Sequence, residues 1–138
     1  MRDISLKSAW CILVAAALVV GPDVAVGQDG ATRSTLDGVY AEEQAERGEQ
    51  LKATVCDECH YDEDFTYILM DSWAEAPLNT LYDVISTQMP EDAPGSLAPG
   101  QYADVLAYIL KMNGMPSGPE ALESTDDALR NIIIRQKQ

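Results

Sequence analysis

Apolar positions recur at three- and four-residue spacing in three stretches of the chain. In residues 41–55 the stripe is Ala41, Ala45, Gly48, Leu51 and Val55, with Glu42, Glu43, Glu46 and Glu49 on the other faces. This spacing predicts a helix. Its apolar bulk is small, so it must pack closely on a second helix, and Gly48 permits that approach. A second helix is predicted over 77–88, with Pro77 in its first turn and Leu78, Leu81, Tyr82 and Ile85 on its buried side. Residues 90–100 hold Pro90, Pro94, Gly95, Pro99 and Gly100 and read as an ordered loop. A third helix is predicted over 100–112, with Val105, Tyr108, Ile109 and Met112 on one side and Tyr102 and Leu106 near it. Asn113-Gly114 stops it, Gly114 suiting a left-handed cap position. Pro116, Gly118 and Pro119 mark a linker. The tail begins Ser124-Thr125-Asp126-Asp127, a cap-like start, and carries Leu129, Ile132, Ile133 and Ile134, which fits a short helix or an extended strap. No internal repeat and no run of alternating positions is visible. The pattern is that of an all-α protein.

The start of the chain reads as an address. Residues 9–20 (AWCILVAAALVV) are apolar without interruption, behind Arg2 and Lys7. Twelve residues fit the core of a secretory signal and fall short of a spanning helix; an uncleaved anchor is the other reading. Gly21-Pro22 breaks the run, and Ala25-Val26-Gly27 supplies small residues before Gln28. The predicted organisation is a signal peptide at 1–27, a flexible polar leader at 28–38, one domain at 39–116, and an extension at 117–138 that packs on it. Export implies a periplasmic protein, with no stable membrane insertion once the signal is removed.

The chain has 138 residues, of which 46% are hydrophobic, so it can form one core of ordinary size. Nine Lys and Arg stand against 23 Asp and Glu, a net charge of −14. That excess argues against binding nucleic acid or anionic lipid and for partners with basic patches. Residues 1–27 hold two basic and two acidic residues, so the excess survives signal removal.

Only Cys56 and Cys59 remain after export, because Cys11 lies in the signal. They are followed at once by the chain's single histidine, in the string Cys56-Asp57-Glu58-Cys59-His60. One histidine excludes a three-histidine zinc site and a bis-histidine haem within one chain. A structural zinc would need a second Cys/His pair, which is missing. A disulfide oxidoreductase would be expected among parallel strands, which the pattern does not predict. C-x-x-C-H in an exported chain reads as covalent attachment of one haem c. The two thiols reach the two vinyl positions, and the adjacent imidazole of His60 meets the iron. A bound porphyrin also supplies core that a small domain lacks.

The second axial ligand comes from elsewhere in the chain or is absent; with no other histidine, methionine is the natural candidate. Met70 is only ten positions after His60, too close to cross to the opposite face. Met112 lies on an apolar helix side and reads as core filler. Met115 follows the helix stop and could reach the haem edge. Met89 ends a predicted helix, is followed by Pro90, and starts a loop that could cover the distal face. Spacing favours Met89.

These pieces together resemble a class I mono-haem cytochrome c, and more narrowly the small cytochromes that accept electrons from quinoprotein dehydrogenases. The resemblance spans residues 39–129 and rests on YAEEQAERG, CDECH, Trp73, PLNTLYDVISTQMP and PGSLAPGQYADVLAYILKMNGMPSG. It implies a cytochrome c fold of three to five helices around one covalently bound haem, with crossed N- and C-terminal helices. Residues 39–116 would be the cytochrome domain. The resemblance also implies Met89 as distal ligand and a crossing at which Gly48 meets Tyr108. Three departures stand out: Tyr61 where glycine is usual, Lys52 where an aromatic is usual, and Met89 only 29 positions after His60. All three bear on packing beside the haem.

The expected activity is electron transfer, not enzymatic catalysis. A carrier of this kind takes single electrons from a dehydrogenase and passes them to an acceptor such as a terminal oxidase. The other class considered is a haem enzyme or gas sensor with a labile distal methionine, for which no second histidine is available as an acid–base group. Trp73 could meet a haem propionate or serve as a core aromatic. Tyr82 and Tyr102 read as packing residues. Asp57, Glu58, Asp62, Glu63 and Asp64 surround the motif and read either as a solvated face or as a docking face for a basic partner.

Overall fold

The first helix begins where Ala41 adopts an extended backbone and Glu42 and Glu43 place negative charge at the positive end of the peptide dipoles. In the computed structural model, which describes residues 32–66 and 68–136 and only the backbone of 68–70, this helix is α1 (Glu42–Leu51). It does not run on to Val55 as expected. From Lys52 to Cys56 the backbone widens into a π turn, in which the Asp57 N–H donates to the Lys52 carbonyl at 3.0 Å. A short 3₁₀ turn follows at Asp62–Phe65. Next come α2 (Ile68–Trp73), α3 (Leu78–Gln88), α4 (Pro99–Met112) and α5 (Asp126–Arg130). The described residues thus hold five α-helices, and the chain is mostly helical. α3 and α4 lie within one residue of the stretches predicted for them; α2 was not anticipated.

α1 and α4 cross at Gly48. A Cβ built on Gly48 would lie 2.0 Å from the Asp104 carbonyl oxygen and 2.8 Å from Tyr108 Cβ. Any side chain there would push the helices apart. The crossing is reinforced at both flanks. Arg47 donates two hydrogen bonds to the Asp104 carboxylate, at 2.9 and 3.0 Å. Lys111 pairs with Glu42 at 2.6 Å. The partner of α1 is therefore the fourth helix and not the last one, because the chain continues into α5.

α4 is buried on more sides than its sequence stripe predicts. Tyr102, Ala103, Asp104, Val105, Leu106, Ala107, Ile109 and Leu110 are all buried. Its Leu106, Ala107 and Leu110 enter a large apolar group with Val39, Tyr40, Ala45, Leu78, Leu81, Met115 and the tail residues Leu122, Leu129, Ile132 and Ile134. Its Val105 and Ile109 enter a smaller one with Phe65. At the end of α4, Gly114 takes φ +73°, as its cap position requires.

The leader and the tail are fastened to each other. β1 (Arg33–Ser34) pairs in parallel with β2 (Ile132–Ile133), in the register Arg33 to Ile132. Buried Thr35 donates to the Arg135 carbonyl at 2.7 Å and accepts from its N–H at 2.9 Å. So residues 32–38 are built into the domain and do not form a loose leader. The tail is both of the expected things, a short helix and then a strap. Gln44 holds its approach: the side-chain amide donates to the Leu122 carbonyl at 3.0 Å and accepts from the Leu122 N–H at 2.6 Å. Residues 1–31, including the expected signal and Cys11, lie outside the described residues.

Candidate functional site

The end of α1 delivers the motif. Below Lys52 the π turn closes at Cys56, whose carbonyl accepts from the Cys59 N–H at 3.1 Å and the His60 N–H at 2.9 Å. Those bonds continue one helical turn, and residues three and four apart share a face of such a turn. Cys56, Cys59 and His60 are therefore grouped by the local backbone alone. Both cysteines are free thiols, Cys56 half-buried and Cys59 exposed. Burial, and then the charge of Asp57, push the Cys56 thiol up from its ordinary range. A nucleophilic or disulfide-exchanging cysteine needs the opposite shift.

His60 is held from two sides. Its ring meets Phe65 edge to face, with centroids 5.6 Å apart at 81°. Its Nδ1 lies 3.5 Å from the Asp64 carboxylate. Asp64 also accepts from the Tyr61 N–H at 2.9 Å, so it is itself fixed. The turn carrying Phe65 is tied to α4, because the Asn113 amide donates to the Phe65 carbonyl at 2.7 Å.

Cys56 packs with Leu51, Ile85 and Met112, all half-buried, against buried Phe65, Val105 and Ile109. This group draws on α1, the motif, α3 and α4 at once. It is apolar and only partly shielded from water.

Met89 ends α3, one turn after Ile85, whose carbonyl accepts its N–H at 3.1 Å. The side chain is half-buried. Its backbone is gripped by Tyr102, whose hydroxyl donates to the Met89 carbonyl at 2.8 Å and accepts from the Leu97 N–H at 3.3 Å. One phenol thus closes the loop from Met89 to Leu97. Tyr82 meets Tyr102 edge to face at 6.4 Å and donates to the Pro99 carbonyl at 3.1 Å. The two tyrosines read as packing residues are loop fasteners.

The other methionines separate clearly. Met115 is 4% exposed and sits in the large core, with its carbonyl accepting from the Tyr40 hydroxyl at 2.8 Å. It does not lie at the edge of the motif, because the turn at Gly114 sends it inward. Met112 packs beside Cys56. The side chain of Met70 lies outside the described residues. Trp73 packs on the large core, which favours its reading as a core aromatic.

Sequence reasoning marked Lys52 only as a departure from a usual aromatic; its burial and its partners were not anticipated. It is 7% exposed, with its ammonium 2.6 Å from Asp57, paired also with Asp62, and 5.8 Å from the centre of the Phe65 ring. Hydrogen bonding to Asp57, then to Asp62, raises its pKa above the usual lysine range against the opposing effect of burial. Asp57 and Asp62 are therefore not simply members of a free acidic face. A polar cleft of about 370 Å³ opens here, lined by Lys52, Asp57, His60, Tyr61, Asp62 and Glu63.

Among the described residues, no group of three or more His, Cys, Asp or Glu side chains is placed to hold a metal ion. The donor chemistry instead suits a tethered porphyrin: two thiols and an imidazole on one turn, beside a partly shielded apolar group. Cys56 and Cys59 would hold it covalently, and His60 and Met89 would supply nitrogen and thioether donors to its iron. Searches against family models, curated proteins and solved structures match nothing to this chain.

Proposed function

We propose that this chain is an exported electron carrier, a mono-haem c-type cytochrome with histidine–methionine ligation. The observation that carries the reading is the single turn bearing Cys56, Cys59 and His60, set against the half-buried apolar group of Leu51, Ile85 and Met112. The crossing of α1 and α4 at Gly48 and Tyr108 supports a cytochrome c fold. Among the described residues, no helix is long and apolar enough to cross a membrane.

When bound, haem c supplies the reversible exchange of one electron between ferric and ferrous iron. Each residue has its part in that exchange. Cys56 and Cys59 would tether the group through thioether sulfurs. His60, whose ring rests on Phe65 beside Asp64, would ligate its iron. Met89, whose backbone Tyr102 holds, would be the other iron ligand. Val105, Ile109 and Phe65 keep water from the apolar side, which, with a thioether ligand, favours the ferrous state and raises the potential. With His60 and Met89 both held by the protein as iron ligands, reorganisation on electron transfer would be small. The donor is a dehydrogenase, the quinoprotein class being the one the resemblance implies. The acceptor is a downstream protein such as a terminal oxidase. Partners carry basic patches that meet the chain's acidic surface.

Met89→Ala tests the reading. The reduced wild type should bind carbon monoxide poorly. The variant should bind it readily and have a lower midpoint potential, whereas Met115→Leu should change neither. Ready binding by the wild type would instead favour the gas-sensor or haem-enzyme class.

A further inference from the structure

Lys52 occupies a position that no hydropathy argument would give to a lysine. It lies four residues after Gly48 and four before Cys56, on the inward face of the first helix and its π turn. Its stem is buried, and its head is tied to three residues of the motif region. Asp57 lies inside the Cys-x-x-Cys loop, Asp62 lies two positions past His60, and Phe65 carries the ring against which His60 rests. Of the side chains lining the cleft beside the motif, it is the one lysine or arginine.

We propose that Lys52 is a positioning residue for the redox site: one buried ammonium braces both flanks of the Cys56–His60 turn and sets the local charge that the haem iron senses. This rests on the functional reading above. A buried ammonium is tolerated only when paired. Here it meets two carboxylates, so the cluster carries a net charge of −1. Negative charge near the iron stabilises the ferric state and lowers the potential; removing it does the reverse. Charge counting then orders the variants. Lys52→Met leaves −2, Asp62→Asn leaves zero, and the double variant restores −1.

The test is the midpoint potential of the purified haem-bearing protein, titrated at low ionic strength. Lys52→Met should shift it downward and Asp62→Asn upward. Lys52→Met/Asp62→Asn should return it close to the wild-type value, and Lys52→Arg should stay near wild type. All shifts should shrink as salt is added. A purely structural brace gives a different pattern, since loosening the turn from either side would move the potential in one direction. Shifts of the same sign in the two single variants, or no shift in either, would overturn the proposal. If Lys52→Met fails to mature, Asp62→Asn decides alone, because Asp62 is 67% exposed and its loss is compatible with folding. A wild type that carries no haem overturns the functional reading and this proposal together. A haem-bearing wild type with unmoved variants overturns this proposal only.

Discussion

The two apolar groups of this molecule are built on the same helix and differ in kind. The larger one, around Leu106 and Leu110, has thirteen buried members, drawn from α1, α3, α4, α5, the strap and the connecting segments that hold Val39, Tyr40, Met115 and Leu122. Leu78, Leu106, Leu110, Leu129 and Ile134 are each 0% exposed. Four half-buried side chains, Leu36, Trp73, Tyr82 and Ile85, pack against it. The smaller group has three buried members and four half-buried ones, Cys56 among them, and its Phe65 ring meets the His60 imidazole. Small domains often have too little chain to close a second core. The difference teaches that two sides of α4 do separate work: Leu106 and Leu110 hold the domain together, while Val105 and Ile109 belong to the group that, on the proposed function, would face the haem.

Truncation on the two sides of α4 is the strongest way to break that comparison. Leu106→Ala should cost about 2–5 kcal/mol of stability, in the usual range for a fully buried leucine. Its haem absorption spectrum and potential should be those of the wild type. Ile109→Ala, three residues on, should cost less in a thermal melt but lower the potential, because water gains access to the ferric form. If both variants alter the spectrum alike, the two groups are one core and the distinction fails.

A smaller effect sharpens the picture at the distal side. Tyr102→Phe removes one buried hydroxyl and should cost about 0.5–1.5 kcal/mol, the net worth of an ordinary hydrogen bond. Its specific consequence should be earlier loss of the far-red sulfur-to-iron band as denaturant is added, before the helices unfold. Band loss that coincides with global unfolding, as in the wild type, would show that Tyr102 does not hold Met89.

Much of this architecture was legible in the sequence because its signals are local. Cys56, Cys59 and His60 are contiguous, so their grouping needs only one turn of backbone. The boundaries of α3 and α4 follow from Pro77 and Gly114 and from stripes of large apolar residues, although Pro99, read as loop, opens α4. The crossing at Gly48 was expected for want of apolar bulk in α1. What could not be read depends on contacts and turns that hydrophobic periodicity does not encode. The burial of Lys52 needs Asp57 and Asp62 together, and hydropathy counts lysine as surface. The π turn leaves no mark in periodicity. β1 and β2 have two residues each, too few to alternate. Gln44 is recognisable only once Leu122 lies against it. Polar composition made residues 32–38 look loose, although the buried Thr35 hydroxyl serves both ends of the Arg135 backbone.

The central claim is that Cys56 and Cys59 carry one haem covalently, and denaturing mass spectrometry of the intact protein tests it most directly. The protein is produced by export in a host with a cytochrome c maturation system and treated with acidified acetone before measurement. The account predicts a single species whose mass is that of the mature chain plus one haem. It also predicts that Cys56→Ala and Cys59→Ala sharply reduce or abolish that species. A wild-type chain of unmodified mass, or haem that leaves with the solvent, would contradict it.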